Sequence, residues 1–127
     1  MLNNDPLSRV LIIDLARRRS WVETRPELFD PNQNGGLGGA GAAISLLEEE
    51  CPAGVDPLSP ENPIILTIGP LVGHYPLASK TVAMFKSPHT GNLGESHAGG
   101  RSAIALRMAG YGALVIRGRS TMPIYLV

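Results

Sequence analysis

Hydrophobic positions along the chain switch between two periods. Residues 9–15 (RVLIIDL) form a compact β-branched run, and residues 20–25 (SWVETR) resume an extended pattern after the polar turn ARRR, so the pair predicts a β-hairpin. Asp30-Pro31-Asn32 and Asn34-Gly35-Gly36 then break the pattern. From Gly39 the run GAGAAISLLEEEC reads as a helix with Ala43, Leu46 and Leu47 on one side. Glu48, Glu49 and Glu50 fall at its C-terminal end, where the helix dipole disfavours carboxylates, and a solvated last turn is the expectation.

Cys51-Pro52-Ala53-Gly54 ends that helix, and VDPLSPENP, with three prolines in nine residues, predicts an extended connector. Residues 64–69 (IILTIG) are continuously apolar, as in a strand buried on both faces. GPLVGHYPLAS reads as a loop and residues 80–86 (KTVAMFK) as a further strand. Residues 86–100 (KSPHTGNLGESHAGG) read as one glycine-rich loop that runs into a helix over residues 101–109, which Gly110 can end in the left-handed conformation. Residues 111–118 (YGALVIRG) and 123–127 (PIYLV) predict two closing strands. The reading is an α+β fold of about six strands and two helices, with residues 1–127 as a single domain. The last strand meets the final residue without a polar tail, which suggests a truncated piece or a half whose sheet something else completes.

Charge and composition narrow the chemistry. Eleven basic and eleven acidic residues balance, so no basic excess points to nucleic acid or anionic lipid. The single cysteine, Cys51, excludes an internal disulfide and cannot alone hold an iron–sulfur cluster or structural zinc. The start MLNNDPLSRVLIIDL lacks a basic region followed by a long apolar core, and no apolar run reaches membrane-spanning length, so a cytoplasmic location is expected.

The glycine-rich stretch holds the candidate chemistry. Thr90-Gly91-Asn92-Leu93-Gly94 has the composition of a tight turn, and Ala98-Gly99-Gly100 places bare backbone where a helix begins. Peptide N–H groups there can approach an anion, with Arg101, Lys86 and Lys80 adding positive charge. The alternative is a turn and nothing more. It is not a P-loop, and the pattern G-L-G-G-A-G from Gly36 follows a loop where a dinucleotide fingerprint requires a strand. His74, His89 and His97 all lie in expected loops; they can converge on a metal or simply be solvated. Glu95 beside His97 has the makings of an acid–base pair but lacks an evident nucleophile.

The succession GVDPLSPENPIILTIGPLVG, FKSPHTGNLGESHAGG, MAGYGALVIRG and MPIYLV resembles, in order and spacing, the N-terminal part of the aldehyde ferredoxin oxidoreductase family of tungsten- or molybdenum-pterin enzymes. The early hairpin and GGLGGAGAAISLL extend the resemblance over essentially the whole chain. It implies a base of two similar β-sheets related by a pseudo-twofold axis, of which this chain would be the first half, with a bis-pterin metal cofactor lying across it. Lys80, Glu95, Ser96, His97, Ala98, Gly99 and Gly100 would be the cofactor-binding residues, and the backbone carbonyl of His97 would help hold the magnesium ion between the pterin phosphates. His97 stands where members commonly carry Asn, and Lys80 where they carry an arginine, which keeps the charge and loses the bidentate fork.

The resemblance also implies that iron–sulfur cluster ligands and the domains enclosing the substrate lie outside this chain. By itself the chain would be catalytically incomplete and would hold no complete cofactor, its partners being the rest of the oxidoreductase chain or a catalytic subunit, and ferredoxin in the complete system. The parent chemistry is oxidation of an aldehyde to a carboxylic acid. The alternative is a non-catalytic module that keeps the fold, pairs with a second copy as a homodimer through sheet edges and apolar surface, and binds a phosphorylated ligand.

Overall fold

A computed structural model describes residues 6–30, 32 and 37–127. The break expected at Asn34-Gly35-Gly36 lies outside the described residues, as does Gly36 of the G-L-G-G-A-G pattern. Six strands form one mixed sheet: β1 (Arg9–Asp14), β2 (Arg19–Thr24), β3 (Ile64–Ile68), β4 (Thr81–Lys86), β5 (Leu93–Ala98) and β6 (Ala113–Arg117). Two helices accompany it, α1 (Gly39–Glu50) and α2 (Ser102–Met108). The α+β class and the strand and helix numbers agree with the sequence reading, but the strands are not the same six. The supposed loop 86–100 contains β5, paired antiparallel with β4 from Thr81↔Ala98 to Lys86↔Leu93. Residues 123–127, for all their β-branched and aromatic character, form no strand.

The strand order is β2-β1-β6-β3-β4-β5. The β1–β2 hairpin is antiparallel, and β1 then pairs in parallel with β6, so the first and last strands in sequence lie side by side within the sheet. Gly112 is required at that junction. A Cβ there would sit 1.9 Å from the Leu7 carbonyl oxygen and 2.7 Å from the Phe29 ring.

Strand alternation sorts the sheet into two faces. Val10, Ile12, Ile65, Val82, Met84, Ala113 and Val115 are buried beneath Ala42, Ala43, Leu46 and Leu47 of α1, forming the core. Thr67 is fully buried on the same face, and its hydroxyl donates 2.7 Å to the carbonyl of Gly39, tying the start of α1 to the sheet. The opposite face carries Leu11, Ile13, Leu66, Leu114 and Ile116 half-buried, and Ile64 is 47% exposed. β3 is thus sealed along its α1 face, and on the opposite face it is buried at Ile68 but open at Ile64, so the expected burial on both faces holds only toward its C-terminal end.

The three glutamates at the end of α1 are also differently employed. Glu48 and Glu49 are exposed, in line with the solvated reading, but Glu49 and the partly buried Glu50 are also paired. Glu49 receives two 2.8 Å hydrogen bonds from the Arg25 guanidinium, and Glu50 receives one of 2.7 Å from Arg117, which also faces Asp14 at 3.6 Å and stacks over Trp21. Arg25 binds Glu27 as well. That hydrogen bond, reinforced by Glu49, raises the Arg25 pKa further. Burial would raise the Glu27 carboxyl, but hydrogen bonds from Arg25 and from the backbone outweigh it and leave its pKa lowered.

Candidate functional site

The sheet ends at β5, whose residues are exposed except for Gly94. Phe85 explains that exception, because its ring would lie 2.5 Å from any Cβ on Gly94. The turn before β5 closes with Gly91 N–H donating to the Ser87 carbonyl and Ser87 N–H to that of Asn92. Thr90-Gly91-Asn92 therefore serves as a hairpin turn, as its composition suggests.

At the other end of β5 the chain leaves Ala98 opposite Thr81, and continuing that register by one residue sets Lys80 opposite Gly99. Lys80, Gly99, Gly100 and Arg101 are all exposed. No heavy atom lies within 4 Å of where a Cβ would stand on either glycine, so the space above this backbone is open. Gly100 holds φ +92°, which an L side chain rarely adopts. The Thr81 and Ser102 hydroxyls hydrogen-bond at 2.8 Å, fastening the start of α2 to β4 beside the glycines. The sequence reading missed that clamp, whose two hydroxyl residues carry no local signal of it.

Of the cofactor-binding candidates, Ala98, Gly99 and Gly100 run from the end of β5 into the turn before α2, and Lys80 immediately precedes β4, whose first residue pairs with Ala98. Glu95 and His97 project on the α1 side of β5 and Ser96 on the other, by alternation. His97 Nε2 is hydrogen-bonded to the Glu95 carboxylate, so the two residues singled out as an acid–base pair do meet, on the exposed surface. Lys86 is elsewhere. It sits at the far end of β4, where its ammonium donates to the Val55 carbonyl and its backbone N–H to Asn62, so it adds nothing to the charge around Gly99. The histidines are likewise separated. His89 lies in the β4–β5 turn and His74 accepts a 2.7 Å hydrogen bond from Arg107 of α2. Among the described residues no group of three or more His, Cys, Asp or Glu side chains is placed to hold a metal ion. Among the same residues no helix is long and apolar enough to cross a membrane.

The β5–α2 junction offers unobstructed peptide backbone and the exposed Arg101, and Lys80 stands one residue before the strand that pairs with β5. That set suits the oxygen atoms of a phosphate, and the bare ribbon 98–100 suits a flat group laid against it. α2 has seven residues, too few for a strong dipole, so Lys80 and Arg101 supply most of the positive charge. A metal–pterin bearing phosphates fits this chemistry.

Comparison with known proteins gives a consistent picture. Residues 10–127 match the family described as "Aldehyde ferredoxin oxidoreductase, N-terminal domain". A tungsten-containing aldehyde ferredoxin oxidoreductase of Pyrococcus furiosus is 42% identical over 91 residues, 71% of this chain and 15% of that protein. The enzyme of the same name from Pyrococcus horikoshii is 35% identical across 93% of this chain and 19% of its own length. An aliphatic sulfonate oxidoreductase, WOR-like subunit, of Pyrococcus furiosus is 32% identical over the same shares. Among solved structures, the active site complex BamBC of benzoyl coenzyme A reductase matches with a TM-score of 0.79 and 30% identity, over 93% of this chain and 18% of that one. The chain thus spans less than a fifth of the length of these relatives.

Proposed function

The chain belongs to the aldehyde ferredoxin oxidoreductase family, matching its N-terminal domain, and from that premise we propose that it is the cofactor-cradling part of a tungsten- or molybdenum-pterin oxidoreductase. The observation that carries the reading is the open glycine backbone at Gly99 and Gly100, followed by Arg101 and continuing the strand that pairs with β4 just after Lys80. Lys80 and Arg101 would neutralise a pterin phosphate, while the peptide groups of residues 98–100 approach it without steric hindrance. The His97 side chain is already engaged by Glu95, so what it has to offer magnesium is its backbone carbonyl. When bound, the metal–pterin supplies the two-electron oxidation of an aldehyde to a carboxylic acid. This chain would orient the group and balance its charge.

The relatives' names support this division of labour. They mention aldehydes, an aliphatic sulfonate and a coenzyme A thioester, yet all share this domain. A part common to such different substrates is suited to holding what those proteins have in common rather than to selecting a substrate. Iron–sulfur ligands would come from polypeptide outside residues 1–127, since Cys51 is the only cysteine here. A second reading, a self-associating module that binds a phosphorylated ligand, rests on the incompletely buried apolar face of Leu11, Ile13, Leu66 and Ile116.

Elemental analysis of the protein purified from its native host, paired with the variant Gly99→Val, tests the proposal. Gly99 lies outside the left-handed region and a side chain there meets nothing within the chain, so valine obstructs only an incoming ligand. The expected result is tungsten or molybdenum in the wild type and its loss in Gly99→Val with an unchanged circular dichroism spectrum. Equal metal content in both would remove the glycines from the cofactor site, and a metal-free homo-oligomeric wild type would favour the second reading.

A further inference from the structure

Thr81 holds the glycine ribbon at both of its ends. Its backbone makes the last pair of the β4–β5 ladder, with Ala98, where the chain leaves the sheet. Its hydroxyl lies 2.8 Å from that of Ser102, where the chain re-enters regular structure as α2. Gly99, Gly100 and Arg101 therefore form a short loop that departs from one residue and returns to it. The fixed ends are firm: Thr81 is only 7% exposed, and Ala103, next to Ser102, is completely buried in the core. The first turn of α2 is closed by a 2.8 Å hydrogen bond from the Ala105 N–H to the Arg101 carbonyl. Between those ends nothing braces the loop. A Cβ on Gly99 or Gly100 would meet no heavy atom within 4 Å, and both glycines and Arg101 are exposed.

Glycine has the widest backbone freedom of any residue, so a two-glycine ribbon tethered at one end samples many paths. A ligand that needs its peptide groups in one arrangement must then supply that ordering out of its own binding free energy. A ribbon pinned at both ends is already ordered when the ligand arrives. Resting on the reading that this ribbon cradles a metal–pterin, we infer that Thr81 and Ser102 are positioning residues for the cofactor. Their hydroxyl pair holds residues 99–101 on the path that the phosphate-binding peptide groups need, and acts through the ribbon. The chemistry of the pair suits the task. Two neutral hydroxyls, each able to donate or accept, add no charge beside Lys80 and Arg101, and the β-branched, buried Thr81 has little rotamer freedom to lose. Neither residue belongs to the cofactor-binding set that the family resemblance implies.

Thr81→Val, Ser102→Ala, the double variant and Ser102→Thr, each purified from the native host beside the wild type, test the inference. The measurement is the rate at which tungsten or molybdenum leaves the protein, taken well below the Tm of each variant. Valine keeps the shape and backbone pairing of threonine and removes only the hydroxyl, and the exposed Ser102 can turn its freed hydroxyl to water. Release about tenfold faster is expected in Thr81→Val and in Ser102→Ala. The double variant should release metal no faster than either, because both substitutions remove one bond, and Ser102→Thr should restore the wild-type rate. Amide exchange at Ala105, which reports the start of α2, should quicken in the same three variants. A lower Tm with unchanged metal release from the folded protein would overturn the positioning role, and so would additive effects on release. Faster release with unchanged exchange at Ala105 would make the hydroxyls direct ligands and overturn it as well. A wild type free of both metals would overturn the cofactor reading itself, whereas a metal-bearing wild type whose variants release metal no faster would overturn the positioning role alone.

Discussion

Removing Arg117 probes the join between the end of α1 and the centre of the sheet. Its guanidinium donates to Glu50 at 2.7 Å, faces Asp14 at 3.6 Å and lies 5.1 Å from the centroid of the Trp21 ring. Side-chain exposure is 33% for Arg117, 18% for Glu50 and 10% for Asp14, so the cluster lies between the exposed pairs that contribute almost nothing and the buried ones whose disruption is severe. A charge-assisted hydrogen bond in that setting is worth about 2 kcal/mol. The stacking over Trp21 adds about 0.5–1 kcal/mol. Arg117→Met keeps much of the aliphatic stem and should cost about 2.5–3 kcal/mol, lowering Tm by about 10 °C for a domain of this size. Urea and heat unfolding followed by circular dichroism measure the loss, with Trp21, the single tryptophan, as a second probe. A double-mutant cycle with Glu50→Gln should give a coupling energy of about 1–2 kcal/mol. Additivity of the two substitutions would refute the argument, because it would mean that Glu50 is stabilised no more by Arg117 than by water.

Two further expectations follow from close contacts. Gly112→Ala must displace both the Leu7 carbonyl and the Phe29 ring, and a cost of about 3 kcal/mol, read from the urea midpoint at unchanged m-value, is expected. Glu27 has a pKa below its ordinary 4.5 in the folded chain, so its contribution is fully present above that value and is lost as pH falls through the lower folded one. Glu27→Gln should therefore narrow the fall in Tm below about pH 4.5 relative to wild type, and parallel Tm curves for the two proteins would show that the Arg25 pair is not linked to folding.

The legible parts of this fold are those specified by neighbours in sequence. β1, β2 and their turn follow from a compact β-branched run, a polar break and a resumed extended pattern; α1 follows from its apolar spacing and the connector from its prolines. β5 was illegible for the opposite reason. Gly94, Glu95, Ser96, His97 and Ala98 include no β-branched residue, and what makes them a strand is the ladder to β4. Residues 123–127 have the better strand composition and no ladder, so composition alone misassigned both. The glutamates of α1 were misread because their partners, Arg25 and Arg117, lie 24 and 67 residues away.

The candidate site is a sharper instance of the same principle. Lys80 and Lys86 are chemically alike, one just before β4 and one at its end, but a strand runs about 3.4 Å per residue, which puts them about 20 Å apart at opposite ends of that strand. The register Thr81↔Ala98 puts Lys80, and not Lys86, at the Gly99 end of the strand. Local sequence reading could weigh the glycines as turn or anion site without choosing; the family resemblance selected Lys80, which the structure sets one residue before the Thr81↔Ala98 pair. A site whose working parts are peptide groups leaves little side-chain signal. Its chemistry lies in which side chains are missing, at Gly99 and Gly100, and in which cation the pairing delivers to that gap.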